Sequence, residues 1–132
     1  MPVAFDASVI VRGVLGGSER ALEWIAQVSS GESDGVAPDL LWLEVANAFA
    51  GYVRQGRLSL EEAQLALSAV LRLPLQTTPS TDLAAASFGV ALERGLSVYD
   101  ACYAVVAEAE QAVLVTADRG LAGAARASEL VV

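Results

Sequence analysis

Histidine and lysine are both absent from this chain, and cysteine occurs once, at Cys102. With no imidazole and one thiol, the chain has no means of building the nitrogen- and sulfur-rich ligand sets of zinc sites. A single cysteine cannot close an internal disulfide, which fits a reducing compartment. All eight basic residues are arginine and stand against sixteen acids, for a formal net charge of −8. Proteins that meet phosphate do so as a rule through a basic surface. Two explanations of the acidity stay open: acids neutralised by bound metal, or a surface suited to a basic partner protein. No apolar run reaches the about 18 residues a membrane helix needs, so no membrane role is expected. The start, Met1-Pro2-Val3-Ala4-Phe5-Asp6, lacks the basic opening and long apolar stretch of a secretion signal. A cytoplasmic protein is the expectation.

What the chain has in abundance is apolar residues, 55% of its 132 positions. That length suits one domain, residues 1–132, around one core. There is no repeat, low-complexity tract or separating linker. A strand is expected over Pro2 to Phe5, ending at Asp6, and Ser18 reads as the N-cap of a helix to about Val28. Gly35 to Ala37 reads as a second strand closed by Pro38, and Asp39 as the N-cap of a long helix ending near Gly56. Ser59-Leu60-Glu61-Glu62 has the capping-box form, opening a helix that stops at Pro74. A strand around Leu75 to Thr77 precedes a helix from Thr81 to Arg94, stopped by Gly95. A further helix from Val98 to about Glu110 leads to the clearest strand, Ala112 to Thr116. Asp118 and a short Ala-rich helix follow, with an edge strand expected over Leu130 to Val132. Strands alternating with helices predict an α/β fold of three layers, α/β/α, with a central, mostly parallel sheet.

Sites in such sheets form at the carboxyl ends of strands, where strand order reverses. Asp6 and Asp118 each follow a strand and fall in that zone, although a helix cap would account for either one alone. Glu44 lies in Leu40-Leu41-Trp42-Leu43-Glu44-Val45-Ala46-Asn47-Ala48-Phe49, the most apolar helix. Its helical neighbours are Leu40, Leu41, Asn47 and Ala48. A carboxylate there is costly unless paired, protonated or bound to a cation. No lysine exists to pair with it, so an arginine or a metal is expected, unless the side chain reaches solvent at a rim. Asp100, in Ser97-Val98-Tyr99-Asp100, fits a capping-box variant and also sits where a first-turn acid can point into a site. Carboxylates drawn together repel each other strongly, and divalent cations relieve that repulsion. All-oxygen ligation suits Mg²⁺ or Mn²⁺.

Four segments resemble the PIN-domain family, and its VapC-type toxins in particular. They are Asp6-Ala7-Ser8, Glu44 with Asn47, Tyr99-Asp100-Ala101 and Thr116-Ala117-Asp118. Each motif is weak alone, but their order and spacing agree across nearly the whole chain. The resemblance implies a PIN-like three-layer domain and a metal-dependent endoribonuclease. Asp6, Glu44, Asp100 and Asp118 would be the catalytic, metal-binding acids, with Ser8, Asn47 and Thr116 supporting them. Mg²⁺ or Mn²⁺ would activate water to hydrolyse RNA, leaving 5′-phosphate ends. A small antitoxin and a homodimer are the implied partners. Arg119 and, more weakly, Arg12 are candidates to touch phosphate. Trp42, Phe49 and Tyr52 read as core residues rather than stacking platforms for RNA.

Other readings remain open at the level of sequence. A housekeeping RNA-processing PIN nuclease would carry the same acids, and a non-catalytic binding module would keep the fold without the activity. Phosphotransfer domains with Asp at strand ends also bind Mg²⁺, but they normally depend on a lysine that this chain lacks.

Overall fold

A computed structural model describes residues 2–131. Its strands are β1 (Val3–Phe5), β2 (Gly35–Pro38), β3 (Leu75–Thr78), β4 (Val113–Thr116) and β5 (Ser128–Leu130). Its helices are α1 (Ala7–Val14), α2 (Glu19–Ser30), α3 (Leu40–Arg54), α4 (Leu60–Leu71), α5 (Ser80–Arg94), α6 (Val98–Ala109) and α7 (Arg119–Ala124). The strands form one sheet in the order β3-β2-β1-β4-β5, and every pairing is parallel. The expected three-layer α/β/α fold is therefore present, its sheet parallel throughout among the described residues.

From β1 the chain steps outward through β2 to β3, crosses back past β1 to β4, and ends at β5. Right-handed crossovers put the connecting helices of the two directions on opposite faces. Accordingly α1 packs with α2, α3 and α4, while α6 lies over β1, β2 and β4 and packs with α5 and α7. The middle strands are covered on both faces, which is why Val3, Phe5, Leu114 and Val115 are all buried. Strand order reverses between β1 and β4, so their carboxyl ends diverge around an opening. Asp6 and the segment after Thr116 sit at that opening.

Local chemistry explains most boundaries. Ser18 caps α2 by accepting from the Ala21 N–H, and Gly31 ends it in the left-handed conformation. Ser59 and Glu62 form the complete capping box that opens α4, and Gly95 closes α5 at positive φ. Asp39 does not cap α3: its backbone is already helical, and its carboxylate accepts the Ser80 hydroxyl at 2.6 Å. The last strand spans Ser128–Leu130 rather than 130–132, since Ser128 to Leu130 pair with Leu114 to Thr116. Val132 lies outside the described residues. Surface ion pairs anchor the periphery, with Arg94 of α5 and Arg126 meeting Glu108 of α6, and Arg20 of α2 meeting Glu129 of β5. No helix among the described residues is long and apolar enough to cross a membrane.

Helix α1 has no counterpart in the sequence reading. It follows β1 immediately, and Asp6 occupies its N-cap position without a side-chain capping bond. The Asp6 carboxylate is turned to another use.

Candidate active site

Asp6 is the most enclosed of the acids, with 7% of its surface exposed. Its Oδ2 accepts two hydroxyls at 2.7 Å, Ser8 Oγ from the first turn of α1 and Thr116 Oγ1 from the end of β4. Both hydroxyls also accept: Ser8 Oγ from the Ala117 N–H at 3.1 Å, and Thr116 Oγ1 from the Asp118 N–H at 3.0 Å. One carboxylate, two hydroxyls and two backbone amides thus stitch the carboxyl ends of β1 and β4 together. A buried carboxylate is tolerable under those conditions, since charge-assisted hydrogen bonds replace the water it has lost.

Asp118 caps α7, its Oδ1 accepting from the Leu121 N–H at 3.0 Å, while the residue stays exposed at the rim. Asp100 occupies the first turn of α6, its N–H donating to Ser97 Oγ. Glu44, on α3, is half-buried, and its Oε1 accepts the Tyr103 hydroxyl at 2.6 Å. Sequence alone points Glu44 to an arginine, a metal or a solvent-facing rim; the partner that the fold supplies is a phenol. Tyr103 is wholly buried, and its hydroxyl finds a partner only by reaching the cleft, where Glu44 supplies one.

All four acids line one cleft of about 410 Å³, together with Ser8, Arg12 and Tyr52. Burial pushes the Glu44 carboxyl above the usual carboxylate range; the Tyr103 bond opposes this, and Asp6 and Asp100 add to it. Burial likewise raises Asp100, with Asp6 and Asp118 contributing in the same direction. Asp6 therefore acts on both Glu44 and Asp100 as a near negative charge, and Asp118 on Asp100. Burial also holds the neighbouring Cys102 thiol up at about 12, leaving it neutral and bonded to the Tyr99 carbonyl.

The acids line the cleft without clustering closely. Among the described residues no three acidic or thiol side chains stand close enough, as placed, to grip one ion. Mutual repulsion favours that spacing, and each of Asp6, Glu44 and Asp118 has an oxygen tied to protein. The donor set still fits a hard divalent cation: it is all oxygen, it is negatively charged, and its repulsion rises with ionisation. Both hydroxyls on Asp6 fall on Oδ2, which leaves Oδ1 clear of them.

The supporting candidates divide. Ser8 and Thr116 bond directly to Asp6, whereas Asn47 is exposed on α3 and does not line the cleft. Arg12 lines it; Arg119 is exposed at the start of α7 and does not. Phe49 is core, as expected, and Trp42 is half-buried against the core. Tyr52, like Trp42, is half-buried against the core, and it also lines the cleft.

Residues 3–127 match the family model of the PIN domain. The crystal structure of PAE2754 from Pyrobaculum aerophilum superposes with a TM-score of 0.76 at 30% identity, covering 98% of this chain and 90% of that one. VapBC2 from Rickettsia felis, solved bound to a DNA fragment from their promoter, gives 0.70 at 15% identity and covers both chains fully, at 100%. FitAcB from Neisseria gonorrhoeae gives 0.63 at 16% identity, over 97% of this chain and 96% of that one. At such identities the last two share the fold. No curated protein matches the chain significantly.

Proposed function

This chain belongs to the PIN-domain family, whose members are generally nucleases, and from that premise we propose that it is an Mg²⁺- or Mn²⁺-dependent endoribonuclease. The observation that carries the reading is the cleft itself, with Asp6, Glu44, Asp100 and Asp118 facing one space at the sheet's switch point. These four would hold the ion. When bound, such an ion supplies a more acidic water and offsets charge on phosphate oxygens. Ser8 and Thr116 fix the Asp6 carboxylate in place, and Tyr103 does the same for Glu44. Arg12 is the cation at the rim able to meet a substrate phosphate. Attack of water on phosphorus with departure of the 3′ oxygen breaks the P–O3′ bond and leaves a 5′-phosphate and a 3′-hydroxyl. The route that uses the RNA 2′-hydroxyl with histidine is closed, because the chain has no histidine.

The reading extends to a VapC-type toxin of the cytoplasm, working as a homodimer and held in check by a small antitoxin. Two apolar features support these partners. Phe88, Leu92, Val98 and Tyr99 lie exposed along α5 and the start of α6, a face suited to a second copy. Phe49, Val53, Leu60 and Leu67 line a groove between α3 and α4 that suits an amphipathic antitoxin helix. Light scattering should give a dimer at micromolar concentration, and a clean monomer would remove that part of the reading.

The central test is cleavage of a mixed RNA panel in Mg²⁺, Mn²⁺ or EDTA, with end-group analysis. Cuts in either metal, lost in EDTA and leaving 5′-phosphates, are expected. Cuts that persist in EDTA or leave cyclic phosphates would overturn the metal chemistry. Growth arrest on expression, relieved by a small protein encoded beside it, would separate a toxin from a housekeeping nuclease.

A further inference from the structure

An acidic nuclease must still hold a polyanion, and the structure offers a place for it next to the carboxylates. Beside the carboxylate cleft lies a second, of about 400 Å³, whose lining includes Arg12, Leu15, Tyr52, Arg57 and Leu58 and no acid. The two clefts are continuous, since Val11, Arg12 and Tyr52 line both. Arg57 lies flat against Tyr52, its Cζ 4.5 Å from the ring centroid. The backbone sets that stack. Gly56 turns the chain at positive φ after α3, and the N–H groups of Arg57 and Leu58 both donate to the Tyr52 carbonyl. Among the described residues Arg20, Arg94 and Arg126 are committed to ion pairs, whereas Arg12 and Arg57 form none.

We propose that this second cleft is the track for the single-stranded RNA flanking the bond to be cut. The inference rests on the nuclease reading and gives it a substrate-binding surface. Arg12, at the junction of the clefts, takes the phosphate next to the carboxylates, and Arg57 takes one further along. The guanidinium stacked on Tyr52 forms a flat, cationic platform for an unstacked base. Leu15 and Leu58 give the cleft the apolar walls that bases and sugars favour. A duplex keeps its bases stacked on each other and cannot use such a platform, so the track selects single strands. An acidic peptide would satisfy the arginines as well, but it has no use for the stacked platform or for an opening onto four carboxylates.

The test is fluorescence anisotropy with a short, fluorescein-labelled single-stranded RNA of mixed sequence, in EDTA to prevent cleavage, across a salt series. Arg57→Ala and Arg12→Ala should each weaken binding about tenfold, as losing a hydrogen bond to a charged group does. Each should also reduce the slope of log K against log salt by about 0.7 per lost phosphate contact. Tyr52→Leu should weaken binding about tenfold with the slope unchanged, because stacking releases no counterions. Arg72→Ala, an exposed arginine outside both clefts, serves as the control and should bind as wild type. Circular dichroism melts verify that each variant is folded. Wild-type affinity and slope in Arg57→Ala and Arg12→Ala would overturn the track and leave the cleft to an acidic peptide segment. Arginine-dependent binding by a protein that cuts no RNA in any metal would instead uphold the track and sink the nuclease.

Discussion

Purified Asp6→Asn protein is expected to fold as wild type and to lose metal-dependent cleavage, by about a hundredfold or more. An amide has the shape of the carboxylate, and its oxygen still accepts the Ser8 and Thr116 hydroxyls. What goes is the charge. Asp6 contributes to the raised pKa of both Glu44 and Asp100, so its charge opposes their ionisation in the folded protein. A carboxyl whose folded pKa lies above its unfolded value costs stability once pH exceeds the unfolded value. Removing Asp6's charge returns part of that cost. In EDTA the variant should therefore melt at the wild-type temperature or higher near neutral pH. The gain should vanish as pH falls below about 4, where carboxyls are protonated in both states. Rates and melting curves on the same preparations provide the check. Full activity in Asp6→Asn protein would end the assignment of Asp6 to the metal; a large loss of stability would make its role structural.

Thr116→Val is expected to harm both stability and activity. The Thr116 side chain is completely buried, and its one hydroxyl donates to Asp6 and accepts from the Asp118 N–H. Valine matches the shape and supplies neither bond. The buried carboxylate keeps only Ser8, and a backbone amide loses its partner, which together should cost about 1–3 kcal/mol. Cleavage should fall about 10- to 100-fold, the usual effect of losing a group that orients a metal ligand. Serine at position 116 keeps the hydroxyl and should recover most of the rate. A Thr116→Val protein with normal rate and stability would show that the Ser8 bond alone positions Asp6. Combining Thr116→Val with Asp6→Asn supplies a further check: the stability loss should shrink, because no buried charge is left unsupported.

The parts of this fold that sequence revealed are those with local chemistry. Ser18, the Ser59–Glu62 box and Gly95 mark helix ends through bonds or dihedrals confined to a few residues. The alternation of strands and helices gave the layers. Helix α1 escaped because Ala-Ser-Val-Ile-Val-Arg-Gly-Val is short and rich in β-branched residues, which favour a strand by local propensity. Asp39 departs from its expected role through a remote contact: an Asp before a helix usually caps it, yet here a hydroxyl 41 positions away takes the carboxylate.

The acids proposed for the site stand where sequence pointed: Asp6 and Asp118 after strands, Glu44 on an apolar helix and Asp100 in the first turn of α6. Their neighbours were not legible in the sequence. The hydroxyl that holds Glu44 comes from Tyr103, 59 positions along, and no periodicity relates the two. The Arg57–Tyr52 stack depends on a turn whose course sequence does not specify. Contacts of this kind come from topology, which draws remote segments to one rim.

Topology also imposes an order in time. Asp6 is made well before Thr116, yet the two share a hydrogen bond spanning 110 positions. A chain still on the ribosome carries Asp6 and Glu44 long before the strand that steadies Asp6 has emerged. β4, which completes the middle of the sheet, is synthesised after α6, and Asp118 follows it. A chain that stops short of β4 and Asp118 therefore lacks the assembled cleft, whatever it has already folded.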